Sequence, residues 1–178
     1  EVRRKVDWIN ATGEGTIYIG PDAISPQIRT GDVIRFRQNY AQVLTVAEVL
    51  YSPSRNPIPA MTDRQKLFKA GTYDYNPQFG TRAVFGTVLE RDDGFITLSP
   101  TTTEDEDGIN VDDFTDYMVS EDTVYYKLTE KGTSGFNVAR SDYYSLIPYE
   151  YDAKNATRAF VFIRDDKVAA VCFIAKED

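Results

Sequence analysis

The chain has 178 residues, of which 42% are hydrophobic and 13% aromatic, and this is enough apolar material to fold one domain or two small ones. Its formal net charge of −8 argues against nucleic acid or an anionic membrane surface as a partner, because like charges repel. The lack of histidine and the single cysteine exclude an imidazole base, a histidine metal ligand and an intrachain disulfide. No apolar run approaches the roughly 18 residues of a membrane-spanning helix, so membrane insertion is not expected.

Apolar and polar residues alternate with a period of two in many short runs, which predicts strands. In chain order the runs predicted as strands are Val6–Asn10, Gly15–Ile19, Asp32–Arg37, Val43–Leu50, Val84–Glu90, Phe95–Leu98, Thr123–Leu128, Ala159–Arg164 and Val168–Ile174, of which the last two are apolar rather than alternating. Within the third run, Ile34 and Phe36 share one face, and we expect that face to be buried. Their neighbours Arg35 and Arg37 are then expected to face solvent.

Turn-forming residues separate several of these runs. Gly13-Glu14-Gly15 predicts a first hairpin turn, because glycine adopts positive φ at low cost. Asp93-Gly94 predicts a second turn and Asp165-Asp166-Lys167 a third. The chain is therefore expected to contain at least three hairpins.

The two strands joined by the last turn are apolar on both faces. Phe160 and Phe162 lie on one face of the first strand, and Val161 and Ile163 lie on the other. Strands with this pattern are usually central in a sheet and covered on both sides.

Helix signals are scarce, and the clearest one falls in an insertion. Ser52–Pro59 contains three prolines, which cannot lie in a central strand, and it begins an insertion that extends to about Phe79. Within the insertion, Thr62 and Gln65 form a capping-box pattern that predicts a short helix over Asp63–Lys69.

Some ten short strands with regular turns predict an all-β fold, either a small barrel or a sandwich of the OB-like or SH3-like kind. We expect a single module over residues 1–178, with two fused small barrels over 1–80 and 81–178 as the alternative. The predicted core comprises Ile17, Ile34, Phe36, Val46, Val88, Ile96, Val124, Phe160, Val161, Ile163, Val171 and Phe173.

The acidic stretch Thr101–Asp116 is the candidate for a metal site. Calcium takes about six to eight oxygen ligands, which clustered carboxylates can supply. The side chains that could converge on calcium are Asp105, Asp107, Asn110, Asp112 and Asp113. Their spacing differs from that of an EF-hand, since Ile109 occupies the fifth position. The alternative is a solvated acidic loop without metal, and no other cofactor is expected.

Four tyrosines precede the last two strands and are the candidates for ligand binding: Tyr143, Tyr144, Tyr149 and Tyr151. Exposed tyrosines could stack on sugar rings or line a peptide groove. The alternative is that they cover an end of the barrel, with their hydroxyls reaching solvent or backbone. The first two lie in Ser141–Leu146, which could form one helical turn.

No residue pattern indicates catalysis, so the chain is predicted not to be an enzyme. Cys172 lies between Val171 and Phe173 in a strongly apolar strand, where a thiol is buried and no histidine exists to activate it. Neither a Gly-x-Ser-x-Gly elbow nor a glycine-rich phosphate loop occurs. With 28 acidic residues, close pairs of carboxylates are expected by chance.

Four stretches, taken in order, carry a resemblance: Thr30–Phe36 followed by Val43–Tyr51, Phe85–Val88 with Gly94–Leu98, Val124–Tyr126, and Ala156–Arg164 with the strand to Ile174. Together they resemble a β-rich module of Firmicutes cell-surface proteins that carry S-layer homology domains. The insertion after Ser52 and the acidic stretch have no clear counterpart, and Asp165-Asp166 replaces a Tyr-Gly type of turn.

The resemblance implies a non-catalytic structural or adhesive module outside the cell, on the surface of a Gram-positive bacterium. The implied partners are neighbouring domains of the same surface protein, and cell-wall glycan or another surface protein is a further candidate. The alternative function is a glycan- or peptide-binding module that uses the exposed tyrosines.

Overall fold

A computed structural model describes residues 4–10, 13–24, 33–40, 43–51, 71–77, 79–100, 109, 111–130 and 136–175. Within these ranges the regular structure is twelve strands and two single-turn 3-10 helices, which confirms the all-β prediction. Across the same residues, no helix has the length and apolar character needed to span a bilayer.

The first four strands form a small sheet in the order β1-β2-β4-β3. They are β1 (Arg4–Asn10), β2 (Gly13–Ile24), β3 (Val33–Gln38) and β4 (Val43–Tyr51). β1 and β2 form the predicted hairpin, but Asn10 pairs with Gly13, so the connection is residues 11–12. The prediction that Gly13-Glu14-Gly15 forms the turn is wrong, because all three residues pair with β1 and belong to β2.

The remaining strands form a larger mixed sheet. They are β5 (Gly71–Asn76), β6 (Thr81–Asp92), β7 (Phe95–Ser99), β8 (Thr115–Met118), β9 (Val124–Glu130), β10 (Phe136–Ser141), β11 (Arg158–Arg164) and β12 (Lys167–Ala175). Seven of them follow the order β10-β9-β12-β11-β6-β7-β8, and β5 pairs with β6 off this path. All neighbours are antiparallel except β9 and β12, which run parallel.

The larger sheet is not closed into a barrel, so the predicted small barrel is wrong for these strands. Cα atoms of β8 come within 8 Å of Cα atoms of β12, yet no ladder of hydrogen bonds joins the two strands. The physical reason is that β12 already pairs with β9 on one edge and β11 on the other, so it has no edge left for β8.

Part of the predicted insertion belongs to this sheet. Residues 71–76 form β5, in which Gly71 pairs with Phe85 and Tyr73 with Ala83, so the expected surface excursion to Phe79 is wrong there. The tyrosines of this segment suit a pleated strand. The predicted helix over Asp63–Lys69 lies outside the described residues.

Two buried clusters lie on opposite faces of the larger sheet. The first contains Val84, Val88, Ile96, Leu98, Tyr125, Leu146, Ala159, Val161, Ile163, Val168, Val171 and Phe173. The second contains Ala83, Phe85, Leu128 and Phe160, together with Val33 and Leu50 of the small sheet. Since adjacent residues of β6 and β11 enter different clusters, these strands are covered on both sides.

The predicted character of the last hairpin is confirmed. β11 and β12 are central in the sheet, and Phe160 and Val161 are both 0% exposed although they point to opposite faces. The Phe160 ring lies 4.4 Å from the ring of Phe85, measured between centroids.

Most of the described members of the predicted core are buried. Those buried are Val88, Ile96, Phe160, Val161, Ile163, Val171 and Phe173, whereas Ile34, Phe36 and Val124 are half-buried. The side chains of Ile17 and Val46 lie outside the described set.

The predicted orientation of β3 is wrong at Arg35, which is 6% exposed. Its guanidinium donates to the Thr81 carbonyl oxygen over 3.1 Å and lies 5.2 Å from the Phe79 ring centroid. Val33 lies on the same face of β3 as Arg35 and belongs to the second cluster. The larger sheet therefore covers the face of β3 that the alternating pattern predicted to be exposed to solvent. Arg37 is exposed as predicted.

The two predicted turns of the larger sheet that contain aspartate occur at the predicted positions. Asp93-Gly94 joins Asp92 to its partner Phe95, with Gly94 at φ 84°. Asp165-Asp166 alone forms the last turn, at φ 50° and 59°, and Lys167 begins β12. Two successive positive φ values are typical of a type I′ hairpin turn, which glycine and asparagine prefer.

Phe160→Ala should lower the free energy of unfolding by about 3–5 kcal/mol, because it empties a fully buried aromatic site. Urea denaturation measures the loss. Phe95→Ala is the matched control, since this phenylalanine is 44% exposed, and it should cost less than about 1 kcal/mol. Equal losses in the two variants would contradict the described core.

Asp166→Gly should raise the free energy of unfolding by roughly 0.5–1 kcal/mol, because glycine relieves the cost of a left-handed conformation. Asp93→Gly is the control: Asp93 is not among the residues with positive φ, so glycine there should be neutral or destabilising. Thermal melting of both variants checks this, and a loss of stability in Asp166→Gly would show that the turn has another geometry.

Candidate functional site

The candidate site is built around residues 142–157, which connect β10 to β11. Two 3-10 turns, Tyr143–Ser145 and Ala153–Asn155, shape this segment, and the first confirms the predicted helical turn. Each turn is capped by an aspartate: the backbone amide of Ser145 donates to Asp142 over 3.0 Å, and that of Asn155 donates to Asp152 over 3.2 Å. Aspartate is favoured at the residue before such a turn, because its carboxylate accepts a hydrogen bond from a backbone amide that would otherwise be unpaired.

The segment is held against β6 by backbone hydrogen bonds. The amide of Tyr149 donates to the Val88 carbonyl over 2.9 Å, and that of Glu150 donates to the Leu89 carbonyl over 3.3 Å. The pairing of β6 with β7 shifts between Val88 and Glu90, which makes Leu89 the extra residue of a bulge. The bulge thus lies where the tyrosine segment docks.

Tyr143 is half-buried beside the first buried cluster. Its ring packs against that cluster and lies edge-on to Tyr125 at 6.2 Å between centroids. Its hydroxyl shares its one proton between two acceptors, the carbonyl oxygen of Phe95 at 2.9 Å and that of Asp92. Burial raises the pKa of Tyr143 and raises the pKa of Tyr125 to about 12.

Arg91 joins Tyr143 and Tyr144 into one aromatic surface. Its guanidinium lies 5.4 Å and 5.3 Å from the two ring centroids and donates to the Tyr143 carbonyl oxygen over 3.2 Å. The two rings are 5.6 Å apart at 82°, and Tyr144 is 80% exposed. This surface offers a ring edge and a positive charge to solvent.

The other two predicted tyrosines are placed differently. Tyr151 is 89% exposed, and among the described contacts no ring interaction connects it to Tyr143 or Tyr144. Tyr149 is half-buried and lines a separate shallow cleft. The structure therefore brings together two of the four tyrosines.

This cleft has a volume of about 200 Å³ and lies over the outer face of β6, β7 and β8. Its lining consists of Leu89, Glu90, Thr97, Val111, Phe114, Asp116, Tyr149 and Glu150. Sequence reasoning identified only Tyr149 as a site residue here. The acidic stretch signalled Asp116 by composition, but the pairing across strands that forms the cleft is not local in sequence.

The predicted calcium ligands divide between described and undescribed residues. Asp105, Asp107 and Asn110 lie outside the described part, whereas Asp112 and Asp113 are exposed in the turn before β8. The end of the acidic stretch is not a loop as predicted, because Thr115 and Asp116 belong to β8. Within the described ranges, no three Asp, Glu or Cys side chains are grouped as metal ligands, and the calcium site stays a prediction.

Cys172 packs against the second buried cluster, as expected for an apolar strand. Burial raises the pKa of its thiol to about 12, so the thiol stays protonated near neutral pH. A protonated thiol is a poor nucleophile and a poor metal ligand.

Comparisons of the chain with models of protein families, with curated proteins and with solved structures found no match.

Tyr143→Phe should lower the free energy of unfolding by about 1–2 kcal/mol, because it removes a hydroxyl that ties the segment to the β6–β7 turn. Tyr144→Phe is the matched control, and its cost should fall within about 0.5 kcal/mol of zero at this exposed position. Chemical denaturation of both variants checks the difference. Equal stability of the two variants would show that the Tyr143 hydroxyl does not anchor the segment to the β6–β7 turn.

Proposed function

We propose that the chain is a non-catalytic structural or adhesive module of a bacterial cell-envelope protein of the S-layer-associated kind. It is displayed outside a Gram-positive cell, where its partners are neighbouring domains of the same protein, with cell-wall glycan or another surface protein as further partners.

One observation carries this proposal: the stretches that resemble the Firmicutes module coincide with framework strands. Thr30–Phe36 and Val43–Tyr51 overlap β3 and β4, Phe85–Val88 and Gly94–Leu98 overlap β6 and β7, Val124–Tyr126 lies in β9, and Ala156–Ile174 covers β11 and β12. These strands supply residues to both buried clusters. A likeness concentrated in the framework supports a shared scaffold, and a scaffold by itself specifies no chemistry.

The titration behaviour of the buried groups supports a non-catalytic role. Burial raises the pKa values of Tyr125, Tyr143 and Cys172, so each stays protonated near neutral pH. A tyrosine or cysteine that acts as a nucleophile or general base needs a lowered pKa instead, or a base beside it.

The proposal includes a sandwich-like arrangement in which residues 1–178 act as one unit. Its support is the second buried cluster, where Val33 and Leu50 of the small sheet meet Phe85 and Phe160 of the larger sheet. The buried Arg35, which donates to Thr81, adds a polar tie between the same two sheets.

Limited proteolysis of intact cells tests the location. Trypsin applied to living cells of the bacterium that encodes the chain should release its peptides, identified by mass spectrometry, while a ribosomal protein stays intact as the control. Release only after cell lysis would overturn the proposal.

A second candidate function, binding of glycan or peptide, is favoured by the exposure of Tyr144 and Tyr151, at 80% and 89%. Aromatic rings at this exposure bury little of their surface and are available for stacking. The Arg91 guanidinium beside Tyr144 adds a positive charge at one edge.

Sedimentation with purified cell wall tests this second function. The double variant Tyr144→Ala/Tyr151→Ala should bind about thirtyfold more weakly if these rings anchor the wall, since anchoring residues commonly contribute about 2 kcal/mol or more. Tyr40→Ala is the matched control, because Tyr40 is fully exposed in the turn that follows β3. Equal binding by the unchanged chain and by both variants would show that Tyr144 and Tyr151 do not form the binding site.

A further inference from the structure

The cleft beside Tyr149 differs in charge from the aromatic surface formed by Arg91, Tyr143 and Tyr144. Three of its described lining residues carry carboxylates, Glu90, Asp116 and Glu150, and none of the described residues that line it is a lysine or arginine. The cleft thus concentrates negative charge on a chain whose formal net charge is already −8.

The sheet register places two of these carboxylates on either side of one threonine. Glu90 pairs with Thr97, and Thr97 pairs with Asp116, so the three residues form a row across β6, β7 and β8. Residues that are directly opposite share a face, and neighbouring strands lie about 4.8 Å apart. The Cα atoms of the two acidic residues are therefore about 10 Å apart, with the threonine between them.

Thr97 fixes the middle of this row. It is 8% exposed, and its hydroxyl donates to an Asp116 carboxylate oxygen over 2.6 Å. The hydrogen bond restrains the Asp116 side chain, and Asp116 is one of the residues that line the cleft. A carboxylate held in this way loses little entropy when a cation binds.

The other walls of the cleft are apolar. Phe114 and Val111 are 54% and 47% exposed, although their side chains are apolar, and Leu89 and Tyr149 lie among the remaining lining residues. Such walls suit the aliphatic stem of a long basic side chain, while the aromatic faces attract its cationic head.

The size of the cleft limits its occupant. At about 200 Å³ it is smaller than the roughly 300–1,000 Å³ of a typical small-molecule site, and it matches one side chain. Size, charge and apolar walls together indicate a long cationic side chain.

We propose that this cleft binds a lysine or arginine side chain of a protein partner. The stem packs on Phe114 and Tyr149, and the cationic head lies between the carboxylates of Glu90 and Asp116, with that of Glu150 at the rim. The inference rests on the adhesive part of the proposed function and names the chemistry of the partner, but it uses a different surface from Tyr144 and Tyr151.

An NMR titration of the full chain tests the proposal. The probe is acetyl-Gly-Arg-Gly amide, and the control peptide carries glutamine in place of arginine. Amide shifts should appear at Thr97, Asp116 and Glu150 with the arginine peptide, and affinity should fall at least fivefold when sodium chloride rises from about 0.05 to 0.5 M. The glutamine peptide should cause no saturable shift.

Charge-neutral variants give the decisive comparison. Glu90→Gln/Asp116→Asn should weaken binding of the arginine peptide at least tenfold, whereas Glu121→Gln/Asp122→Asn, which removes equal charge from an exposed turn outside the cleft, should change it less than twofold. Thr97→Val, which leaves the charges in place, should weaken binding about threefold. Melting curves verify that each variant is folded.

Three results would overturn the proposal: no shift in the cleft, equal shifts with the glutamine peptide, or equal loss in the two double variants. A saturable response to calcium chloride alone at the same residues would replace it with a cation site. Because surface proteolysis tests location separately, failure of the peptide titration would leave the proposed function standing.

Discussion

The β11–β12 hairpin must be covered on both faces, and the rest of the structure depends on this constraint. Phe160 and Val161 are adjacent in sequence, fully buried, and committed to different clusters. Each aromatic or branched side chain removed from water contributes about 1.5–3 kcal/mol, so leaving either face bare would cost much of the stability of a small domain. The larger sheet therefore curls to enclose one face, while Val33 and Leu50 of the small sheet help to cover the other.

The same constraint positions the candidate surfaces. Because β12 is paired on both edges, β8 approaches it without pairing, and the enclosure stays open. Tyr143 packs against the first buried cluster and its hydroxyl donates to backbone, while the next residue, Tyr144, lies at the surface. The bulge at Leu89 accepts the following segment and brings Tyr149 and Glu150 to the rim of the acidic cleft. Both surfaces thus form where the segment between β10 and β11 docks on the larger sheet.

Local patterns predicted the parts of the fold that depend on local chemistry. The strands over 84–90 and 159–174, the turn at Asp93-Gly94 and the burial of Phe160 all follow from alternation and turn residues. The parts that depend on distant partners could not be predicted in this way: the parallel pairing of β9 with β12, the strand order, and the burial of Arg35 beneath a second sheet. The candidate sites differ in the same way. The tyrosines are neighbours in sequence, whereas Glu90 and Asp116 are placed in one row only by the register of three strands. A one-residue shift in that register would separate them.

Native-state hydrogen exchange tests the two-sided covering of the central hairpin most directly. Amides of β6, β11 and β12 should exchange most slowly, with opening free energies close to that of global unfolding, because these strands open only when both clusters are lost. Amides of the terminal strands β8 and β10 should exchange faster through local opening. If the amides of Phe160 to Ile163 exchanged as fast as those of β8, the hairpin would not be the buried centre of the molecule.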